Sequence, residues 1–153
     1  MTWNVTAEPA LVGDAARLLA TVPEWFGVED ATQGYIEATR VLQNWAVRDA
    51  NDTIIGLALT KWHFAHVCEV ELMVVDRAHQ GQGVGTALAN AIEADARDRG
   101  AALLEVKTLG ASHPDTYYAR TRYFYERMGF LPLEETDLWG EENPCLIMVK
   151  PLL

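Results

Sequence analysis

Apolar residues recur at helical spacing in two regions near the N-terminus and in a longer region further along the chain. The spacing predicts helices over 14–21 and 31–42. A third helix follows a cluster of glycines and ends at Gly100, a residue type that commonly terminates a helix. Its apolar stripe consists of Val84, Leu88, Ala91, Ile92 and Ala96.

Shorter apolar runs, either alternating or continuous, predict the strands. The run over 102–106 is largely apolar, which is typical of a central strand buried on both faces. Residues 63–66 are expected to connect two neighbouring strands. The strands are predicted over 3–7, 44–48, 53–62, 67–75, 102–106, 130–135 and 145–151.

Ser112 and Asp115 have the spacing of a capping box, which predicts a fourth helix that starts there and stops at Gly129. The elements then follow one another as strand, two helices, three strands, helix, strand, helix and two strands. This order predicts an α/β fold with a mixed central sheet of about seven strands, flanked on both faces by about four helices. It differs from the steady βαβα alternation of a doubly wound nucleotide fold.

Length and charge narrow the classes of partner. The 153 residues are the size of one domain, and the formal net charge of -10 repels nucleic acid and anionic membranes. A cationic partner such as a protonated amine suits this charge better. The two cysteines lie in apolar runs, and the N-terminus lacks the basic and apolar regions of a signal peptide. We therefore expect a cytoplasmic protein with no nucleic-acid or membrane partner.

Gly81, Gly83 and Gly85 stand between an apolar strand and the start of a helix. Such a turn is an anion site, because free N–H groups and the positive end of the helix dipole face whatever lies there. A Walker A loop is excluded, since no lysine occurs between Lys61 and Lys107. A dinucleotide fingerprint needs G-x-G-x-x-G, whereas the spacing here is G-x-G-x-G.

Residues 80–85 read Q-x-x-G-x-G, and residues 124–130, FYERMGF, place a tyrosine before a glycine turn and an aromatic residue. In this order, with one strand between them, the two segments resemble the GNAT superfamily of N-acetyltransferases. The resemblance implies the acyl-CoA N-acyltransferase (GNAT) fold, a single domain over 1–153 and acetyl-CoA as cosubstrate. It also implies that the coenzyme diphosphate is bound by Gln80, Gly81, Gln82, Gly83, Val84, Gly85 and Thr86.

The same resemblance implies catalytic roles. Tyr125 aligns with the tyrosine that protonates the departing thiolate in this family, and Glu69 falls where histone-type members carry a glutamate base. Glu71, two residues further along the same strand face, stays an alternative, as does a relay of water molecules. Judged from the residues alone, both glutamates are equally compatible with solvent-facing acids or with partners of Lys61 or Lys107.

Three further positions bear on the coenzyme. Val74 and Val75 lie where the central strands of the family splay apart and backbone N–H groups contact the acetyl carbonyl and the pantetheine arm. Tyr118 stands where many members have an asparagine that contacts the pantetheine. It lies two helical turns before Tyr125, so both tyrosines share a helix face. We expect Tyr118 to line the substrate or cofactor channel, and whether it replaces the asparagine contact stays open.

The early helices of the family cover the acceptor cleft, which makes the aromatic residues there candidates for an acceptor pocket. These candidates are Trp25, Phe26, Tyr35 and Trp62. No metal is expected, because on a strand His63 faces away from His66 and Cys68, and no Cys-x-x-Cys pair completes a ligand set.

These observations predict an acetyl-CoA-dependent N-acetyltransferase. It would transfer an acetyl group to a primary amine of a small cationic or peptide acceptor by direct attack in a ternary complex. The alternative is a non-catalytic sensor or regulatory module of the same fold that binds acetyl-CoA or CoA. A nicotinamide-linked oxidoreductase is a third and weaker interpretation. A homodimer is common in the family and is the expected oligomer to test.

Overall fold

The computed structural model describes residues 2–26 and 29–153. The helices are α1 (Val12–Ala20), α2 (Pro23–Phe26), α3 (Glu29–Ala38), α4 (Val84–Asp98) and α5 (Thr116–Arg127). The strands are β1 (Val5–Glu8), β2 (Gln43–Arg48), β3 (Ile54–Phe64), β4 (Val67–Val75), β5 (Leu103–Leu109), β6 (Leu131–Thr136) and β7 (Cys145–Pro151). No helix in these ranges has the length and apolar character needed to cross a membrane.

The strands form one mixed sheet in the order β1-β2-β3-β4-β5-β7-β6. β4 and β5 are parallel, whereas β1 with β2, β2 with β3, β5 with β7 and β6 with β7 are antiparallel. The predicted fold class is therefore confirmed. The described residues contain five helices where about four were expected, because a single turn of helix begins at Pro23, a residue suited to the first helical position.

The second predicted helix is shorter in the structure, since α3 ends at Ala38 and not at residue 42. The side chain of Asn44 explains this end. Its Nδ2 donates to the carbonyls of Thr39 and Leu42, both at 2.9 Å, and so satisfies acceptors that a continuing helix would use. The Thr39 hydroxyl also donates to the Ile36 carbonyl at 2.7 Å.

The chain forms two compact units. The first unit comprises Met1–Lys61 and Glu71–Asp95, and the second comprises Trp62–Val70 and Ala96–Leu153. In the first unit, α1, α3 and strands β2 to β4 enclose one apolar core. Its buried members are Ala15, Leu18, Leu19, Val22, Ile36, Ala46, Ile54, Leu57, Leu59, Leu72 and Val74.

The second unit is built around β5. Residues 67–70 of β4 pair in parallel with residues 103–106 of β5, and all of β5 pairs with β7 on its other side. Leu104, Val106 and Met148 are buried in consequence. As expected, β5 is a central strand with neighbours on both sides.

Two local predictions near the site were wrong. Helix α5 begins at Thr116 and is capped by Asp115, whose side chain accepts N–H groups at the helix start, whereas Ser112 lies outside it. Residues 63–66 are not all a connection. β3 continues to Phe64, so only Ala65 and His66 form the turn, and His63 lies within the sheet.

Candidate active site

The cradle loop, defined as residues 80–86, connects a single 3-10 turn to the first turn of α4. Asp76 begins the 3-10 turn, because its side chain accepts a hydrogen bond from the Ala78 amide at 2.8 Å. Gly81 and Gly83 follow with φ of 76° and 86°, in the left-handed region that favours glycine. Left-handed residues in such a turn aim successive N–H groups to one side and so create a concavity for an anion.

The side of the cradle loop that would receive a ligand is open. A Cβ atom added at Gly81 or Gly83 would meet no atom within 4 Å, so these two glycines are required by backbone conformation and not by crowding. Val84, at the start of α4, is buried and anchors the helix. The first N–H groups of α4 have no partner within the helix itself, which makes this end suited to a phosphate.

Trp3 holds the cradle loop from the N-terminal segment. Its indole Nε1 donates to the Gln82 carbonyl at 2.8 Å. This hydrogen bond fixes the orientation of the peptide units around the Gln82 carbonyl, so the neighbouring N–H groups are preorganised for a ligand. Trp3 falls in the strand predicted over 3–7, whereas β1 begins only at Val5, and no role was predicted for it. No local signal could have found it, because 79 positions separate the two residues.

Arg77 links the segment before the cradle loop to the connection between α1 and α2. Its Nε donates to the Thr21 carbonyl at 2.8 Å, and its guanidinium pairs with Glu24. The hydrogen bond from Arg77 lowers the pKa of the Glu24 carboxyl. The ion pair is therefore present at neutral pH.

Three of the four aromatic candidates lie in the first unit. Phe26 and Tyr35 meet edge to face with ring centroids 5.7 Å apart, and both pack with Trp25 against the core of that unit. These rings are half-buried and thus serve the core at least in part. Trp62 lies in the second unit, where the Arg99 guanidinium stands 6.0 Å from its ring centroid.

Glu69 is the most buried member of an ion cluster that β3, β4 and β5 bring together. Its Oε1 lies 2.6 Å from His63 Nε2 and 2.8 Å from Lys107 Nζ. Glu105 is the partner of Glu69 in the register of β4 and β5, and its Oε2 lies 3.1 Å from Lys107 Nζ. The side chain of Glu69 is 4% exposed and that of His63 is 31% exposed, so solvent reaches the cluster most readily at the imidazole.

Lys107 contacts both carboxylates of the ion cluster. Burial by itself lowers the pKa of Lys107, but hydrogen bonds and charges from Glu69 and Glu105 outweigh burial and raise that pKa above its usual value. Lys107 is therefore an ammonium at neutral pH. Two carboxylates face this one ammonium, which leaves the cluster with one uncompensated negative charge while His63 is neutral.

His63, Glu69 and Glu105 also form a group of donor atoms, all within 4.8 Å of one another, of the size that a metal ion would need. The donor set does not fit a metal ion. The Lys107 ammonium already contacts the carboxylates of Glu69 and Glu105 and would repel a second cation at that distance.

Glu71 and the two valines predicted to contact the coenzyme lie further along β4, in the first unit. Glu71 and Val75 are half-buried, whereas Val74 is buried in the core of that unit. The side chain of Val74 thus serves packing. A coenzyme contact at either valine would use the backbone, as the resemblance described above implies.

Helix α5 carries the two predicted tyrosines. Tyr125 is 6% exposed, and its ring lies edge to face against Phe130 with centroids 5.4 Å apart. Tyr118 lies two helical turns before Tyr125 and is half-buried. Its backbone amide donates to the side chain of the capping residue Asp115 at 3.1 Å. The Tyr125 ring is therefore held firmly by packing, as a phenol needs to be if its hydroxyl is to meet one reacting atom.

Sequence reasoning missed two functional candidates in the ion cluster. Lys107 had been weighed only as a partner that would make Glu69 structural, and His63 only as a metal ligand. The register of β4 and β5 places Glu69 opposite Glu105, with Lys107 two residues further along β5. His63 reaches Glu69 from β3, the neighbour of β4 in the sheet. A sequence does not contain that register.

Comparisons with known proteins identify the family and the fold. The model of the acetyltransferase (GNAT) family matches residues 17–130. A search of curated protein sequences finds no match. Among solved structures, a GNAT-family protein from Desulfovibrio desulfuricans superposes with a TM-score of 0.81 at 20% identity, covering 99% of this chain and 100% of the other.

Two further structures of similar fold are of enzymes with a named activity. The ribosomal-protein-S18-alanine N-acetyltransferase from Escherichia coli gives a TM-score of 0.77 at 17% identity over 99% of this chain and 94% of that one. An aminoglycoside 6'-N-acetyltransferase complexed with coenzyme A gives 0.72 at 18% identity over 98% and 97%. At these identities the likeness shows the fold.

Proposed function

The chain belongs to the acetyltransferase (GNAT) family, and from that premise we propose that it is an acetyl-CoA-dependent N-acetyltransferase. The cradle loop is the observation that carries the proposal. Two left-handed glycines with open space above them precede a helix start, an arrangement that binds phosphate groups through the backbone. We assign the diphosphate of acetyl-CoA to residues 80–86.

The acetyl-pantetheine part of the coenzyme is proposed to follow β4. This strand extends to Val75, beyond its last pair with β5 at Val70, so Val74 and Val75 are the positions proposed for backbone contacts. Tyr118 is proposed to line the same channel. Coenzyme A bound to a protein of similar fold supports the choice of ligand.

Tyr125 is proposed as the general acid. A phenol is protonated at neutral pH and can donate its proton to the departing thiolate. Direct attack of the amine on the thioester forms a C–N bond while the C–S bond breaks, and the sulfur takes up a proton. The burial of the Tyr125 ring supports this role, because a fixed donor stabilises a developing negative charge.

On the amine side, the proton is proposed to leave through the carboxylates of β4. A protonated alkylamine has a pKa of about 10.4 and must lose a proton before it attacks. The buried Glu69, which contacts His63 and Lys107, and the half-buried Glu71 are the two candidate carboxylates, acting on the amine directly or through a relay.

The acceptor is proposed to be a small cationic amine or a peptide amine. The net charge of -10 attracts such a molecule and repels polyanions. The proteins of similar fold include one that acts on an aminoglycoside and one that acts on a ribosomal protein alanine, so both sizes of acceptor are candidates. The acceptor pocket is assigned to Trp25, Phe26, Tyr35 and Trp62.

Binding of the coenzyme tests the proposal first. Isothermal titration with acetyl-CoA is expected to give saturable binding, with CoA bound as well and NADH not bound. Selective NADH binding would instead support an oxidoreductase. A protein that binds neither coenzyme form would lack the proposed function altogether.

Turnover separates an enzyme from the alternative, a sensor that binds acetyl-CoA without reacting. Release of free thiol is measured with a panel of polyamines, aminoglycosides, amino acids and peptides. Tyr125→Phe is expected to lower kcat at least tenfold while leaving acetyl-CoA affinity within about twofold. An equal loss in both quantities would remove Tyr125 from its role, and coenzyme binding without turnover on any amine would favour the sensor.

A further inference from the structure

The contacts of Glu69 decide which nitrogen of His63 is basic. Glu69 Oε1 accepts a hydrogen bond from the Lys107 ammonium at 2.8 Å, so the two side chains form an ion pair. An ionised carboxylate accepts and does not donate. His63 Nε2, 2.6 Å from the same oxygen, must therefore carry the proton of that hydrogen bond. A neutral imidazole has one N–H, so its lone pair lies on Nδ1.

The same contacts limit what Glu69 itself can do. Its side chain is almost fully buried, and its Oε1 is shared between an imidazole and an ammonium. An amine that used this carboxylate directly would have to displace one of these two partners. The imidazole of His63, in contrast, is the most exposed group of the cluster and is accessible to solvent.

We propose that His63 is the proton acceptor for the amine, with Glu69 and Lys107 as positioning residues that fix its tautomer and ring. This inference rests on the proposed N-acetyltransferase function and deepens it. A proton on Nδ1 converts a cluster with one excess negative charge into a neutral one, counting the carboxylates of Glu69 and Glu105, the Lys107 ammonium and the imidazolium.

The proton balance of the reaction is then complete. The ammonium of the acceptor gives one proton to His63 Nδ1, and the freed lone pair forms the C–N bond with the acetyl carbon. The C–S bond breaks with its electron pair on sulfur. The nitrogen loses a second proton to solvent when the amide forms. Tyr125 gives its phenol proton to the sulfur and regains a proton from solvent. His63 returns its proton to solvent, so each turnover releases one proton.

The tautomer is tested without any acceptor. Long-range ¹H–¹⁵N NMR spectra distinguish Nδ1–H from Nε2–H in neutral histidines, and the chain has 4 histidines. The spectrum of His63→Gln identifies the signals of His63 by difference. In the wild-type protein at alkaline pH, His63 is expected to be protonated at Nε2, and in Glu69→Gln this preference is expected to weaken. A neutral His63 with its proton on Nδ1 would overturn the proposal.

Kinetics test the role. His63→Gln keeps a side chain of similar reach that can still donate to Glu69, but it cannot accept a proton at neutral pH. With saturating acetyl-CoA and an amine that the wild-type protein acetylates, its kcat/KM is expected to fall 100-fold or more, since general base catalysis is worth about that factor. The acid limb of the pH profile should disappear as well. Acetyl-CoA affinity is expected to stay unchanged.

His66→Gln is the matched control, because it also replaces a histidine, in the turn that follows β3. Within the described part of the chain, the His66 ring stacks on Phe64 and has no contact with the ion cluster. The kcat/KM of this variant is expected within twofold of the wild type. Glu69→Gln should lower kcat yet retain the acid limb, as a positioning residue would.

If the wild-type protein turns over and His63→Gln matches it in rate and pH profile, only the role of His63 fails. A wild-type protein that neither binds acetyl-CoA nor releases thiol refutes the proposed function itself.

Discussion

Gly83 shows at the scale of one residue what the cradle loop requires. Its φ of 86° is one that a residue with a Cβ adopts at a penalty of about 1 to 2 kcal/mol. The surrounding space is open, so an alanine there can relax to another conformation in the free protein and must be returned to the left-handed one by the ligand. Gly83→Ala is therefore expected to weaken acetyl-CoA binding about tenfold in calorimetry, which corresponds to about 1.4 kcal/mol.

Gly100 provides a matched control for this prediction. It has nearly the same φ, 85°, and an added Cβ would also meet no atom within 4 Å, yet it follows α4 at the end opposite the cradle loop. Gly100→Ala should lower the free energy of unfolding by about 1 to 2 kcal/mol and leave the affinity for acetyl-CoA unchanged. Equal effects of the two variants on affinity would show that the diphosphate is not bound at Gly83.

The turn formed by Gly81 and Gly83 could be predicted from residue type, and both have a positive φ. Lys107 was one of two lysines that the sequence offered as a partner of Glu69, whereas the contact with His63 was not predicted. His63 had been assigned to a connection, and its place at the end of β3 appears only when the strand is seen to continue to Phe64. Lys107 meets Glu69 through the pairing of two strands that are far apart in sequence, and such pairing is set by packing across the sheet.

Gly56 connects two elements, β3 and α4. A Cβ atom there would lie 2.5 Å from Val84 Cγ1 and 3.3 Å from Leu88 Cδ1. The Val84 side chain is β-branched and cannot rotate away cheaply, so the first turn of α4 would have to shift. Gly56→Ala is expected to lower the free energy of unfolding by about 1 to 3 kcal/mol in urea titrations. It should also weaken acetyl-CoA binding, because Val84 is part of the cradle loop.

A double-mutant cycle isolates this contact. Val84→Ala alone removes packing atoms and is expected to destabilise the protein with little change in coenzyme affinity. Combined with Gly56→Ala, it makes room for the new methyl group, so the double variant should be more stable than the sum of the single penalties predicts. Strictly additive penalties would argue that the backbones of β3 and α4 do not limit each other at this point.

Elements with a strong internal pattern were predicted well, and their ends were not. β4 and β7 have the expected bounds, since apolar residues predominate in both strands. The start of α5 was misplaced because S-x-x-D fits two frames, with either Ser112 or Asp115 as the capping residue. The structure uses Asp115, which accepts two backbone N–H groups, while the Ser112 hydroxyl bonds to Glu135.

At the scale of the whole molecule, composition and charge narrow the acceptor to a class and no further. A net charge of -10 acts over the distance at which a cation approaches, and salt screens it. The proposed class of acceptor therefore depends on charge, whereas the family and the fold follow from the comparisons.

The expectation of a single domain over 1–153 stays a prediction, and unfolding tests it. Trp3, Trp25 and Trp45 lie in the first unit, whereas Trp62 and Trp139 lie in the second. The variant Trp62→Phe/Trp139→Phe thus restricts tryptophan fluorescence to the first unit, while far-UV circular dichroism reports both units. A single cooperative domain gives coincident midpoints.

Acetyl-CoA at a hundred times its Kd adds about 2.7 kcal/mol to the free energy of unfolding and should raise both midpoints together by about 5 to 10 °C. If fluorescence alone shifts and circular dichroism shows a second transition that does not move, the two units are separate domains and only the first holds the coenzyme.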